Sequence, residues 1–581
     1  MRNKSSLLGG VALGVLLAAS LSVGAQAKTK KHHHVAAAPA ASDARLGALA
    51  DEVEALKARL DAETVAREQT EAQVQAAQSQ AAAAQADAQA ARSQLAEQIQ
   101  TIPGEVGAAV AANKPKTDKV YYKGVTVTLG GFAAAETASR SHDQTADIGS
   151  SFAKLPFAND AASHTAETAF TARQSRYSAL VEGAITPAIH GSFYGEFDFL
   201  GAAQTANSNE SNSYTPRVRN LYGAIDWNDS GWHLLAGQSW SLATMNNKGI
   251  TQRNESIPST IDAQYVPGFV WARQPQIRLT KDFNKQLWLA VSLENPQTTF
   301  SGVKTTTGTL VDGQAPTSQY FAGVTGVSST TTLSGSTYTT TDTLTNNPYS
   351  LNAVPDVIAK VAFEESFYGH NLHAEAFGIY RSFQDRVTIT PGTLTATGNT
   401  LQSNGGGVGG GFLFGAVPGV LDVQGSILSG QGIGRYGSGQ LPDTTSKPNG
   451  QLVGIPETLW LAGATLHATP QLDVYAYAGG EQEASSEDRV GSSLYGYGNA
   501  IVGSNVGCSE EGGSCSALTK SIGQATVGLW DKFYQGPFGR FQFGLQYSYT
   551  ERKAFADATT AGNAPKTNEN MIFTSFRYYP F

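Results

Sequence analysis

Two periodicities divide the chain. Over residues 46–102 apolar side chains recur at spacings of three and four, whereas beyond residue 120 they alternate every second residue. In "RFQFGLQYSYT" Phe541, Phe543, Leu545, Tyr547 and Tyr549 share one face, and Arg540, Gln542, Gln546 and Ser548 the other. "LWLAVSLENPQ" sets Leu287, Leu289, Val291 and Leu293 against Ser292 and Glu294, and "VIAKVAFEE" sets Val357, Ala359, Val361 and Phe363 against Lys360 and Glu364. "GSFYGEFDFLG" places Phe193, Phe197 and Phe199 opposite Ser192, Tyr194, Glu196 and Asp198. "LDVYAYAG" repeats the pattern, with Asp473, Tyr475 and Tyr477 on its second face. These runs predict strands with one apolar and one polar face.

Alternation alone fits a soluble sandwich as well as a transmembrane barrel. Three features favour the barrel over 121–581: glycine and aromatics rise together, the connections differ greatly in length, and the chain ends on "MIFTSFRYYPF". Lipid offers no partner to an unpaired backbone amide, so a sheet that spans it has to close on itself. At roughly 25–30 residues per strand with its connection, about sixteen antiparallel strands are expected, within a range of about 14–18. The predicted fold class is therefore an all-β transmembrane barrel preceded by an N-terminal periplasmic α-helical coiled coil.

The coil is read from 46–102. Leu46, Val53, Leu60, Val74, Ala81, Ala88, Leu95 and Ile102 occupy one heptad position, interrupted by Arg67, and Leu49, Leu56, Ala77, Ala84 and Ala91 the other. Such a seam requires partner chains. Before it, residues 1–27 read as a signal peptide, with Arg2 and Lys4, an apolar run and an Ala25-Gln26-Ala27 cleavage site. Residues 28–45 form a flexible basic tether and 103–120 a linker. His32–His34 on that tether make too loose a set to hold a metal, and its lysines suit an anionic neighbour such as peptidoglycan.

Composition sharpens the division. All 25 Phe, 22 Tyr and 7 Trp lie beyond residue 120. Charged residues are only 15%, below the roughly 25% usual in soluble proteins. A net charge of −8 argues against nucleic acid as a partner. Cys508 and Cys515 enclose "SEEGGS", which suits a disulfide on an exposed loop in an oxidising compartment; two free thiols are the alternative.

If the apolar face meets outer-membrane lipid, the polar face lines a passage. Arg176, Arg217, Arg219, Gln276, Arg278, Arg435 and Arg540 are its candidate anion contacts. A guanidinium lowers the electrostatic cost of a carboxylate passing through, and its planar fork can bind one with two hydrogen bonds. Glu182, Glu196, Asp198 and Glu294 share that face and would hold the arginines in place; solvated wall residues in compensating pairs are the plainer alternative. No HExxH, P-loop or GxSxG occurs, so neither an enzyme nor a cofactor or metal site is expected.

The ordered runs "RQSRYSALVEG", "GEFDFLG", "PRVRNLYGAIDWNDSGWHLLAGQSWSL", "RQPQIRL", "SLENPQT", "VPDVIAK", "GRYGSGQLPD" and "FRYYPF" resemble the DcaP-like family of trimeric outer-membrane porins across most of 121–581. The resemblance implies sixteen strands, a homotrimer, and passive uptake of small anionic solutes such as dicarboxylates. It also implies an N-terminal coiled coil. The position four before the terminal Phe581 is usually apolar in such barrels but is Arg577 here, so insertion would lean on Tyr579 and Phe581. The rival reading is structural: a barrel that anchors the outer membrane to the cell wall.

Overall fold

The computed structural model divides the chain into two units, Met1–Pro115 and Lys116–Phe581. The described residues are 53–58, 60–61, 64, 79 and 89 in the first unit. In the second they are 119–201, 214–301, 305–309, 314–321, 327–334, 337–344, 350, 352–391, 397–447, 451–490, 493–498, 505–556 and 564–581.

Among them, sixteen strands make one closed antiparallel ring. They are Val125–Arg140 (β1), Arg176–Thr186 (β2), Ile189–Asp198 (β3), Arg217–Trp227 (β4), Trp232–Trp240 (β5), Arg273–Phe283 (β6), Leu287–Glu294 (β7) and Asp356–Phe367 (β8). The ring continues with His370–Pro391 (β9), Thr397–Val417 (β10), Leu421–Gln431 (β11), Pro456–His467 (β12), Leu472–Glu483 (β13), Thr519–Gly536 (β14), Gly539–Ala554 (β15) and Lys566–Tyr579 (β16). Each strand pairs with the next. The ring is sealed where β16 meets β1, from Ala133↔Tyr578 to Arg140↔Met571.

Tight turns alternate with long connections. Two of the turns, at Asn284-Lys285 and Tyr368-Gly369, hold both residues at positive φ. That backbone continues the right-handed strand twist through a tight hairpin, of two residues at 368–369 and three at 284–286. All the tight turns lie at one end of the ring, and long connections such as 141–175, 241–272, 432–455 and 484–518 at the other.

The two faces are inverted relative to a soluble sheet. On β6 the inward Gln274, Gln276, Arg278 and Thr280 are buried, while the outward Ile277 is 57% exposed. On β15 Gln542, Gln546, Ser548 and Thr550 are buried, and Phe543, Leu545, Tyr547 and Tyr549 face out. A continuous greasy exterior around a polar interior is stable only with hydrocarbon outside. The closing strand obeys the same rule. Ile572 and Phe576 face out, Met571, Phe573, Ser575 and Arg577 face in, and Tyr578 stacks on Phe541 with ring centroids 4.4 Å apart.

One expectation is corrected. Among the described residues there is no long helix and no coiled coil; the helical stretch is 53–58, with isolated helical positions at 60–61, 64, 79 and 89. Val53 and Leu56, both assigned to the seam, stand 60% and 59% exposed. The remainder of that segment lies outside the described residues, as do the expected signal peptide, the tether and nearly all of the linker.

Candidate functional site

The lumen is crossed by the 241–272 connection, which leaves β5 and returns to β6. Its backbone needs partners once it is away from water, and polar side chains of the wall supply them. The Leu242 N–H donates to Glu294 at 2.8 Å, Lys360 Nζ donates to the Thr244 carbonyl at 2.7 Å, and the Asn246 N–H donates to Glu375 at 3.2 Å. Further along, the Ile261 N–H donates to Gln546 at 2.5 Å and the Gly268 N–H to Glu481 at 2.7 Å. These partners sit on β7, β8, β9, β15 and β13, so the segment spans the ring rather than hugging its own strands. Room is made by glycine: a Cβ at Gly411 on β10 would fall 2.4 Å from Met245 Sδ.

Two other connections fold in against it. The Ser438 N–H donates to the Phe269 carbonyl at 3.0 Å and the Gly439 N–H to Glu481 at 2.8 Å, which joins 432–455 to the crossing segment. From 141–175, the Ser150 N–H donates to Asp262 at 3.1 Å. Burial pushes the Asp262 carboxyl up, with these amide contacts opposing it. Trp240, Ile261, Tyr265, Phe269, Tyr475 and Trp530 pack together as an apolar plug within the ring. What remains open includes a cavity of about 510 Å³ toward the tight-turn end, lined by Asn247, Lys248, Lys285, Glu364, Glu365 and His373 among others.

Beside the plug lies a cluster of arginines. Arg217 donates two bonds to Asp198, at 2.9 and 2.7 Å. Arg219 bridges Glu196 at 2.5 Å and Asp198 at 2.9 Å, and Arg176 stands 3.5 Å from Glu196. Arg273 lies over the Trp240 ring at 4.9 Å. Four guanidiniums thus face two carboxylates. Tyr265, on the crossing segment, accepts from Arg219 Nη2 at 3.2 Å. Burial would raise the Tyr265 phenol, but Arg219, Arg176 and Arg273 outweigh it and hold it at about 8.

A register shift in β3–β4 pairing, between Glu196 and Phe197, turns both Arg219 and Asn220 inward. This bulge lets Asn220 Nδ2 also reach Glu196, at 3.1 Å. The remaining candidates from the sequence are spread out. Gln276 and Arg278 grip the Trp240 carbonyl at 2.8 and 2.6 Å, where β5 ends. Glu294 binds the crossing segment, Glu182 lies opposite Thr126 on β2, and Arg540 lies 4.2 Å over the Tyr579 ring. Arg435 belongs to a short 3-10 turn, Gly434–Tyr436, and donates to Asp356 at 2.7 Å.

Several lumen groups escaped the sequence reading. Arg577 on β16 pairs with Glu136 on β1 at 2.9 Å and donates to Gln174 of the 141–175 connection at 2.7 Å. Its alternation with Met571, Phe573 and Ser575 was a usable signal. Arg381 pairs with Asp356 and Asp443, fully buried; Lys360, which alternation had already set on the polar face, pairs with Glu375, also buried. Tyr265 had no periodic signal because it lies on an irregular segment. Cys508 and Cys515 are joined by a disulfide in the 484–518 connection. Among the described residues no group of three or more His, Cys, Asp or Glu side chains is arranged to hold a metal.

No protein-family model and no curated protein matches the chain. Solved structures do. The outer-membrane channel DcaP of Acinetobacter baumannii superimposes with a TM-score of 0.51 at 16% identity, covering 79% of this chain and 99% of that one. The fold is that of this outer-membrane channel. An anion-selective porin from Comamonas acidovorans aligns more loosely, with a TM-score of 0.40 at 10% identity over 78% of this chain and 99% of its own. OmpT of Vibrio cholerae gives 0.38 at 10% identity over 80% of this chain and all of the other.

Proposed function

We propose that this barrel is a passive channel of the outer membrane for small hydrophilic anions, dicarboxylates among them, and that it works as a homotrimer. The observation that carries the reading is the excess of arginine beside the crossing segment. Arg176, Arg217, Arg219 and Arg273 outnumber Glu196 and Asp198, and the Arg176 and Arg217 side chains remain partly exposed to the lumen. An unbalanced guanidinium pair on a narrow polar path lowers the cost of a carboxylate and raises that of a cation. Seven tight turns then face the periplasm and the long connections the exterior, the arrangement usual for bacterial barrels. The likeness to a solved outer-membrane channel supports passive passage as the activity.

The test is electrical. Purified protein in planar bilayers should give stepwise channels in groups of three, with a reversal potential in a salt gradient that favours anions. Replacing Arg176, Arg217 and Arg219 together by Ala should abolish that preference. An unchanged reversal potential in the triple variant would remove the cluster from the selectivity mechanism. A stably inserted but silent protein would favour the structural role instead, and cross-linking that yields monomers only would refute the trimer.

A further inference from the structure

We infer that Tyr265 is a specificity-determining residue of this constriction: its phenol is a third acid of the arginine cluster, and its proton sets how strongly the passage prefers anions. The inference rests on the anion-channel reading above and extends it to regulation of the same site.

The geometry carries it. Tyr265 is the point at which the crossing segment meets the cationic wall. Its hydroxyl accepts from Arg219 Nη2 at 3.2 Å, and its ring packs on Phe269 at 5.1 Å and near Trp240 at 6.2 Å, which keeps it almost wholly buried. The charged groups facing it are known from each element around it. Arg176 comes from β2, Glu196 and Asp198 from β3, Arg217 and Arg219 from β4, and Arg273 from β6. Its own segment adds Asp262, whose carboxyl accepts the amides of Ser150 and Gln264, and β13 adds Glu481, which accepts the Gly268 and Gly439 amides; Gln264 donates to the Ser438 carbonyl of the neighbouring 432–455 connection. With the phenol protonated, the four arginines exceed Glu196 and Asp198, the carboxylates beside them, by two charges. Loss of that proton lowers this surplus by one. Arg219, already shared between Glu196 and Asp198, then has a third anionic partner, and less of the cluster's field reaches the lumen.

The direction follows from the sign of the group. The phenol is neutral below its pKa and anionic above it, so the surplus of positive charge is full at lower pH and falls as pH rises through about 8. An ionising tyrosine at this place therefore gives a wall whose anion preference drops with increasing alkalinity, in the same direction as titrating carboxylates but well above the acid range in which exposed ones titrate.

The experiment compares the full-length protein with Tyr265→Phe in planar bilayers under a potassium chloride gradient, at about pH 6.5 and about pH 9.5. The anion-to-cation permeability ratio of the unmodified protein should fall by about tenfold, since one elementary charge at roughly 6 Å in a water-filled lumen changes each ion's permeability about threefold in opposite directions. The Tyr265→Phe protein should hold its low-pH ratio at both values. An equal fall in both proteins, or no fall in either, overturns the assignment. A tyrosine-dependent shift that starts from no anion preference keeps the assignment while refuting the proposed function; a pH-independent anion preference does the reverse. If Tyr265→Phe fails to insert, Arg273→Gln serves instead. Removing one cation from the phenol should move the midpoint of the selectivity change to higher pH, and an unmoved midpoint would overturn the inference.

Discussion

Two arginine clusters line this barrel, and they differ in balance. In one, Arg381 and Arg435 face Asp356 and Asp443, with Tyr436 donating to Asp356 at 2.9 Å. Charges match one for one, and Arg381, Asp356 and Asp443 are sealed from solvent. In the other, Arg176, Arg217, Arg219 and Arg273 share Glu196 and Asp198, and the first two retain contact with the lumen. A balanced and dry set can only hold segments together: Arg381 also donates to the Gly432 and Gln297 carbonyls, and so ties β9 to two long connections. An unbalanced and partly wet set projects a field into the passage. The same residue type thus serves two ends, separated by count and by access to water.

That contrast can be broken most severely at Arg381. Arg381→Ala should destabilise the barrel by about 3–5 kcal/mol, because Asp356 and Asp443 would be left buried with less compensation. The temperature at which the folded species is lost on heating in detergent measures it; a loss near zero would mean the cluster is not the clamp described. A milder change sharpens the other side. Arg219→Lys keeps the charge but cannot span Glu196 and Asp198 with one fork, so about 1.5–3 kcal/mol should be lost while anion preference survives. A collapse of selectivity in that variant would show that geometry, not charge surplus, sets it. The smallest effect on folding is expected at Arg176, which is partly exposed and 3.5 Å from its carboxylate. Arg176→Ala should change stability by less than about 1 kcal/mol. Its reversal potential should nevertheless move toward cations, and a stability effect without that move would merge the two clusters into one kind.

The strand pattern was readable wherever one residue in two points to lipid. β6, β7 and β15 alternate without interruption, and their inward and outward sets can be written from the residues alone. The reading weakened where the backbone departs from regular pairing. The bulge at Arg219 and Asn220 breaks the period by one residue and brings a second polar group inward. Arg435, taken with the pore wall, sits instead on a 3-10 turn of a connection that has folded into the ring. Arg577 looked anomalous against the expected apolar terminus, yet it occupies an inward position of β16 and meets Glu136 across the seam. The heptad spacing over 46–102 was not matched: among the described residues there is no long helix and no coiled coil.

What the amino-acid order determined by itself is the closed ring: alternation, turn residues and an aromatic final strand require greasy side chains outward and a polar wall inward, since each is a local property of the strand that bears it. What only the tertiary structure decided is the constriction. The path of 241–272 depends on carboxylates and amides contributed by strands more than a hundred residues away in some cases, as with Asn246 and Glu375 or Ile261 and Gln546. No periodicity encodes such contacts, because the irregular segment takes its shape from partners that exist only once the ring has closed around it.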